Sequence, residues 1–144
     1  MTRDSCGRGS REDGFTLIEL LVVMVVLGIL ASIAIPVFLN QKQNAISAGQ
    51  VADLRAVANE VEAFLVSQGQ YPDVVTQSGA EVVISSLAGA GTQRVTVGNA
   101  IAYQLNLTGD AYCLDAVNPR AAGTRYWVSN AGGLQPTSMA ACPF

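Results

Sequence analysis

Glu19 is the residue whose type and position most clearly point to chemistry, because it is a carboxylate at the start of an apolar run with no charge from Leu20 to Ile35. Such a group in a membrane costs about 2.5–3.5 kcal/mol on insertion scales and therefore predicts a function. If the chain is cut between Gly14 and Phe15, the new ammonium group of Phe15 lies one helical turn from Glu19. The same ammonium group on a neighbouring copy is also available. Glu19 is then predicted to set the register between packed subunits, which is the best-attested role of buried ion pairs.

The apolar run from Phe15 to Leu39 is long enough to cross a membrane. As a helix it measures about 37 Å, against a hydrocarbon core of about 30 Å. Three arginines precede it and one lysine follows closely, namely Arg3, Arg8, Arg11 and Lys42. This bias predicts a single pass with the N-terminus in the cytoplasm. A cleaved secretory signal is disfavoured by the length of the run, whereas topology alone leaves a simple signal anchor open.

The stretch "GFTLIELLVVMVVLGILASIAIP", which runs from Gly14 to Pro36, resembles the N-terminal motif of type IV pilins and type II secretion pseudopilins. In that resemblance Gly14 ends a class III signal peptide, Phe15 is the first mature residue and Glu19 is the fifth. It implies a prepilin peptidase in the membrane that cleaves after Gly14 and methylates the Phe15 amine. It also implies a homo-oligomeric filament built by assembly ATPases and a platform protein.

Two residues predict a kink or local melting of the membrane helix. Pro36 has no N–H to donate to the helical ladder, and Gly28 weakens the helix further. Both fall where pilins often carry helix-loosening residues. An ordinary proline kink and a loosening that lets packed helices extend are compatible interpretations.

Beyond the apolar run the pattern predicts an amphipathic helix to about Ser67, followed by short strands. The apolar stripe comprises Val51, Leu54, Val57, Ala58, Val61, Phe64 and Leu65, with Asp53, Arg55, Glu60 and Glu62 to its sides. Short β-rich runs are predicted from Glu81 onward, the first being "VVIS" at residues 82–85, and the remainder of residues 73–92 is interpreted as a loop. The predicted fold class is α+β, a long N-terminal helix packed on an antiparallel sheet of three or four strands, which is the pilin fold by resemblance.

The predicted organisation has four segments. Residues 1–14 form a cleaved leader, residues 15–39 the transmembrane and filament-core helix, and residues 40–68 its amphipathic continuation. Residues 69–144 form a loop, a sheet and a C-terminal tail, and share one globular head with residues 40–68.

Removal of the leader would remove Cys6 and leave Cys113 and Cys142 outside the cytoplasm, where disulfides persist. A disulfide between them would pin the C-terminal tail, and the resemblance to pilins implies the same pairing. Two free, buried cysteines are the alternative.

Other chemistry has little support in the sequence. The chain has no histidine, which removes the commonest general base and zinc ligand, and its net charge of −3 gives no basic surface for nucleic acid. No P-loop, nucleophile elbow or Cys-x-x-Cys occurs, so no enzyme is predicted. Oxygen ligands for calcium could come from Asp110, Asp115 and Asn118, but they form no tight acidic loop, and no cofactor is predicted.

The main functional prediction is a structural subunit of a type IV pilus for adhesion, motility or DNA uptake. The alternative is a pseudopilin of a type II secretion or competence system, which shares every motif above. A single-pass membrane protein with a ligand-binding outer domain is a third possibility, against which Glu19 and the Gly14–Phe15 junction argue. The pilin and pseudopilin predictions both place the precursor in the cytoplasmic membrane and the assembled subunit in an extracellular or envelope-spanning filament.

Overall fold

A computed structural model describes residues 14–86, 89–136 and 138–144. The predicted leader, apart from Gly14, and Cys6 lie outside these residues. A long helix, α1, extends from Leu17 to Gln68. It ends at Gly69, whose positive φ of 77° is a left-handed conformation that glycine adopts without strain and that commonly terminates helices.

Helix α1 continues without interruption through Gly28 and Pro36, so the chain does not melt at either residue. The predicted kink stays a prediction. The described chain forms two compact units, one ending at Phe38 and the other extending from Leu39 to Phe144. Helix α1 contributes residues to both.

The second unit contains two antiparallel sheets on which the later part of α1 packs. The first sheet has the order β1-β2-β3, with β1 at Val74–Ser78, β2 at Glu81–Ser86 and β3 at Gly89–Arg94. The second has the order β4-β5-β6-β7, with β4 at Ala100–Leu105, β5 at Tyr112–Val117, β6 at Arg125–Val128 and β7 at Gly133–Leu134. A short 3-10 helix, Ser129–Ala131, precedes β7. The predicted α+β fold is therefore confirmed.

The prediction of one sheet, with residues 73–92 as a loop apart from "VVIS", is wrong, because β1 and the start of β3 also lie in this range. Strand β1 buries none of its side chains and therefore shows no alternation of buried apolar residues. Strand β3 has the sequence "GAGTQR", a composition of low β propensity. A Cβ atom at Gly91 would lie 2.5 Å from Glu60 Oε1, so a larger residue here would only displace the end of that flexible side chain.

The hydrophobic core lies between α1 and the sheets. The helix contributes Leu54, Val57, Ala58, Val61 and Phe64, and the strands contribute Val82, Ile84, Ile101, Tyr112, Leu114 and Ala116. The predicted apolar stripe is thus buried, except that Val51 and Leu65 are only partly covered. Tyr112 is fully buried, and its hydroxyl donates to the carbonyl of Ala58.

The side chain of Gln77 on β1 links the two sheets. Its Nε2 donates to the carbonyl of Asn99 at 2.7 Å, and its Oε1 accepts from the backbone N–H of Ile101 at 2.6 Å. Like a backbone peptide group, this side-chain amide both donates and accepts a hydrogen bond with a neighbouring segment of backbone. Its side-chain hydrogen bonds join two strands that are not paired along their backbones.

Asp53, predicted to lie at the side of the stripe, is in fact buried, with 7% of its surface exposed. Its carboxylate accepts hydrogen bonds from the backbone N–H and the hydroxyl of Thr96, at 2.9 and 3.1 Å, and from Nδ2 of Asn99 at 2.5 Å. A buried charge needs such partners. Asp53 thereby fastens α1 to the segment between β3 and β4.

Replacing Asp53 with alanine is expected to lower the free energy of unfolding by about 2–3 kcal/mol, because the donors of Thr96 and Asn99 lose their charged acceptor. Unfolding of the full chain by urea in detergent micelles can be followed through the fluorescence of Trp127, which packs against the core. The exposed carboxylate of Asp73 provides the control, Asp73→Ala, for which a change under about 0.5 kcal/mol is expected. Equal effects of the two substitutions would contradict the anchoring role.

Candidate assembly and processing site

The first turn of α1 and the residues just before it contain Gly14, Phe15 and Glu19, which the sequence predicts to function together. Thr16 immediately precedes the helix, and its backbone N–H and hydroxyl both donate to Oε2 of Glu19 at 2.9 Å. In return, the backbone N–H of Glu19 donates to the Thr16 hydroxyl oxygen at 3.3 Å. This reciprocal pair is a capping box, which satisfies backbone donors at the start of a helix.

Thr16 is a site residue that the sequence analysis missed. The signal was present, because "TLIE" has the threonine and glutamate three residues apart that define a capping box. Glu19 therefore has a role within one subunit in addition to any role between subunits. The two roles do not compete for the same atom, since Oε1 of Glu19 has no hydrogen-bond partner among the described residues.

Phe15 and Glu19 line one shallow cavity of about 230 Å³ together with Leu20 and Val23. Phe15 therefore lies beside the carboxylate of Glu19. Cleavage after Gly14 would convert the backbone nitrogen of Phe15 into an ammonium group. Phe15 is 83% exposed. The cavity is therefore open to a molecule outside the chain.

Gly14 is not required by the fold. A Cβ atom at this position would meet nothing within 4 Å among the residues that the structure describes. A requirement for glycine at this position would therefore come from an enzyme that binds the chain here.

Replacing Gly14 with valine is accordingly expected to leave folding and membrane insertion intact and to abolish cleavage. Mass spectrometry of the membrane fraction should find Phe15 at the N-terminus of the unmodified protein, with a methylated amine, and the uncleaved precursor in the variant. Gly28→Ala is the control, because Gly28 also has open space around it and lies away from the junction. Normal processing of Gly14→Val would show that Gly14 does not define the cut.

The apolar residues from Phe15 to Leu39 face outward along α1, and each side chain in this stretch is exposed. By length and composition the helix is able to cross a membrane, and the apolar window that meets this criterion is not buried within the chain. Apolar surface of this extent needs lipid or other helices to cover it.

The three candidate calcium ligands are not brought together. Asp110 precedes β5 and Asn118 follows it, so a strand of roughly 17–20 Å separates them, and Asp115 lies within the strand. The Nδ2 of Asn118 donates to Oδ1 of Asn99 instead. Burial raises the pKa of Asp115. In the part of the chain that the structure describes, no three His, Cys, Asp or Glu side chains are grouped as for a metal.

Comparison with known proteins supports the resemblance seen in the sequence. A profile of the prokaryotic N-terminal methylation motif matches residues 9–35, the region of Gly14, Phe15 and Glu19. With the relatives described next, this match supports the resemblance of the chain to the pilin and pseudopilin family.

The relatives are each named type II secretion system core protein G. The protein from Aeromonas hydrophila is 33% identical over 84 residues, which is 58% of this chain and 57% of the relative. The protein from Klebsiella pneumoniae is 34% identical over 76 residues, which is 53% of this chain and 53% of the relative. The protein from Vibrio cholerae is 36% identical over 75 residues, which is 52% of this chain and 50% of the relative. The chain thus spans about half the length of the curated relatives it matches. No solved structure gave a significant match.

These relatives favour the pseudopilin alternative over the type IV pilus subunit that was the main prediction from sequence. The motif from Gly14 to Pro36 is common to both classes and therefore does not separate them. The relatives are core proteins of a secretion system, which supports a structural rather than an enzymatic role. The apolar helix and this similarity together indicate a membrane-anchored precursor.

Proposed function

We propose that the chain is a pseudopilin, a subunit of a short filament in a type II secretion system. The observation that supports the proposal is the number of residues that align with the relatives. The alignment with the Aeromonas hydrophila protein covers 84 residues, about three times the length of the methylation motif. Most of the aligned residues therefore lie outside the segment that pilins and pseudopilins share.

In this function a prepilin peptidase cleaves after Gly14 and methylates the Phe15 amine. The cleaved subunit waits in the cytoplasmic membrane with its N-terminus on the cytoplasmic side. An assembly ATPase and a platform protein then add it to the filament, where the apolar helices cover one another and Glu19 accepts the terminal charge of a neighbour. The cluster of arginines before the helix and the Cys113–Cys142 disulfide beyond it both support this orientation.

The test is deletion of the gene in the bacterium that encodes the chain. Secretion of a defined set of proteins into the medium should be lost, and those proteins should accumulate in the cells, as measured by quantitative mass spectrometry of both fractions. A plasmid copy should restore secretion, whereas a copy carrying Gly14→Val should not.

Electron microscopy of sheared surface material separates the two filament classes. Unchanged secretion combined with the loss of long surface pili would contradict the pseudopilin function and support a type IV pilus subunit. If the deletion abolishes neither secretion nor surface pili, a filament function is contradicted.

A further inference from the structure

The second unit carries two complementary surfaces at opposite ends of the β4–β5 hairpin. At the closed end is the tip turn, defined here as residues 106–111, which joins β4 to β5. At the open end is a cavity of about 290 Å³, called here the hairpin-base cavity, whose lining includes Lys42, Ile46, Val97 and Arg120. Strand β4 alone separates them by roughly 17–20 Å.

The tip turn presents one apolar and one anionic side chain. Leu107 is fully exposed, and Asp110 lies three residues further on. The side chain of Asn106 holds the turn, because its Oδ1 accepts from the backbone N–H groups of Asp110 and Ala111 at 3.0 and 3.1 Å. Gly109 has a φ of 71°, a conformation that a larger residue rarely adopts. Hydrogen bonds from Thr108 and Asn106 lower the pKa of Asp110, so its carboxylate stays charged.

The hairpin-base cavity combines apolar side chains with two cations. Val97 is 84% exposed and Ile46 forms part of the lining, while Lys42 and Arg120 are exposed cations. Neither cation forms an ion pair with a residue in the described ranges. The volume corresponds to about ten molecules of liquid water, more than one leucine side chain occupies.

We infer that the tip turn of one subunit docks into the hairpin-base cavity of the next, with Leu107 against Val97 and Asp110 facing Lys42 and Arg120. The inference rests on the proposed function, because it needs copies of the chain that pack together. A subunit cannot make this contact with itself, since its two surfaces lie at opposite ends of one strand. The contact is heterologous, so it can repeat from copy to copy, and within a helical filament it forms an open row.

Cysteine cross-linking in assembled filaments tests the contact. A chain carrying Val97→Cys and Leu107→Cys, with Cys6→Ser, should give a ladder of dimers, trimers and larger products on non-reducing gels. Each single variant should remain monomeric, because a disulfide needs Cα atoms within about 7 Å and the contact pairs unlike residues. Val66→Cys with Val97→Cys is the control pair, since Val66 is 86% exposed but lies on α1.

The second test measures the yield of the same cross-link in variants with an altered charge. Arg120→Glu should lower the yield of the Val97–Leu107 cross-link by roughly fivefold, because it turns attraction for Asp110 into repulsion. Arg120→Lys should preserve the yield, and so should Arg94→Glu, which changes an exposed arginine on β3.

Electron microscopy of the same samples distinguishes the contact from the proposed function. Filaments without the Val97–Leu107 product would overturn this contact alone. An equally strong product from the Val66–Val97 pair, or a Leu107 cross-link to a different protein, would also overturn it. Absence of filaments from the unmodified chain would overturn both the contact and the proposed function.

Discussion

Cells that produce Glu19→Val, with no unmodified copy, are expected to accumulate cleaved, membrane-bound subunits and to form few or no filaments. Insertion should be intact, since removal of the carboxylate makes the helix more hydrophobic. Assembly should fail because packed helices exclude water, and a terminal ammonium group without a carboxylate partner is then costly to bury. The effect is expected to be a near-complete loss of filaments.

Glu19→Val has a second effect, because valine removes the capping box as well as the charge. Two further variants separate these contributions. Glu19→Gln removes the charge and keeps a side chain that can complete a capping box, whereas Thr16→Val removes the capping hydroxyl and keeps the charge. If Glu19 sets register by its charge, the glutamine variant should fail as the valine variant does. The threonine variant should lose only the cap, worth about 0.5–2 kcal/mol of helix stability, and still assemble.

Cell fractionation, mass spectrometry of the N-terminus and counts of filaments by electron microscopy measure insertion, cleavage and assembly separately. Normal filament yield from Glu19→Gln would show that charge does not set register in this chain. Failure of Thr16→Val to the same extent as Glu19→Val would assign the requirement to the cap.

The parts of the chain that sequence could predict are those specified by neighbouring residues. The apolar run, the capping residues Thr16 and Glu19 and the stripe around Leu54 and Val61 all depend on spacings within one or two helical turns. Such patterns can be read without knowing what packs on them. The long helix and its buried face therefore matched the structure.

The parts that sequence reasoning missed depend on distant partners. Asp53 looked like a solvated residue, but donors from Thr96 and Asn99, more than forty positions later, allow its burial. Gln50 is likewise fully buried, and its Nε2 donates to the carbonyl of Ala116 at 2.8 Å. Strand β3 was missed because "GAGTQR" has a low β propensity and its pairing with β2 is the feature that makes it a strand.

The tail from residue 135 to 144 depends on a distant partner of another kind, the disulfide between Cys113 on β5 and Cys142. The described part of this tail contains no helix or strand. The hydroxyl of Tyr126 donates to the carbonyl of Ala140 at 2.9 Å, which adds one further link between the tail and the sheet. The disulfide closes a loop with a sequence separation of 29 residues. The loop-entropy relation predicts that such a closure stabilises the folded chain by about 3–4 kcal/mol.

Cys142→Ser is therefore expected to lower the free energy of unfolding by about 3–4 kcal/mol, measured by urea unfolding of the full chain in detergent with Trp127 fluorescence. This position is the better one to change, because Cys113 is fully buried and a serine there would also place a hydroxyl in the core. Reduction of the unmodified chain with dithiothreitol should reproduce the loss, and the same reagent should not affect Cys142→Ser further. Leader cleavage should be unchanged, since the disulfide lies in the second unit. A change below about 0.5 kcal/mol would mean that the tail contributes little to the stability of the sheet to which it is tied.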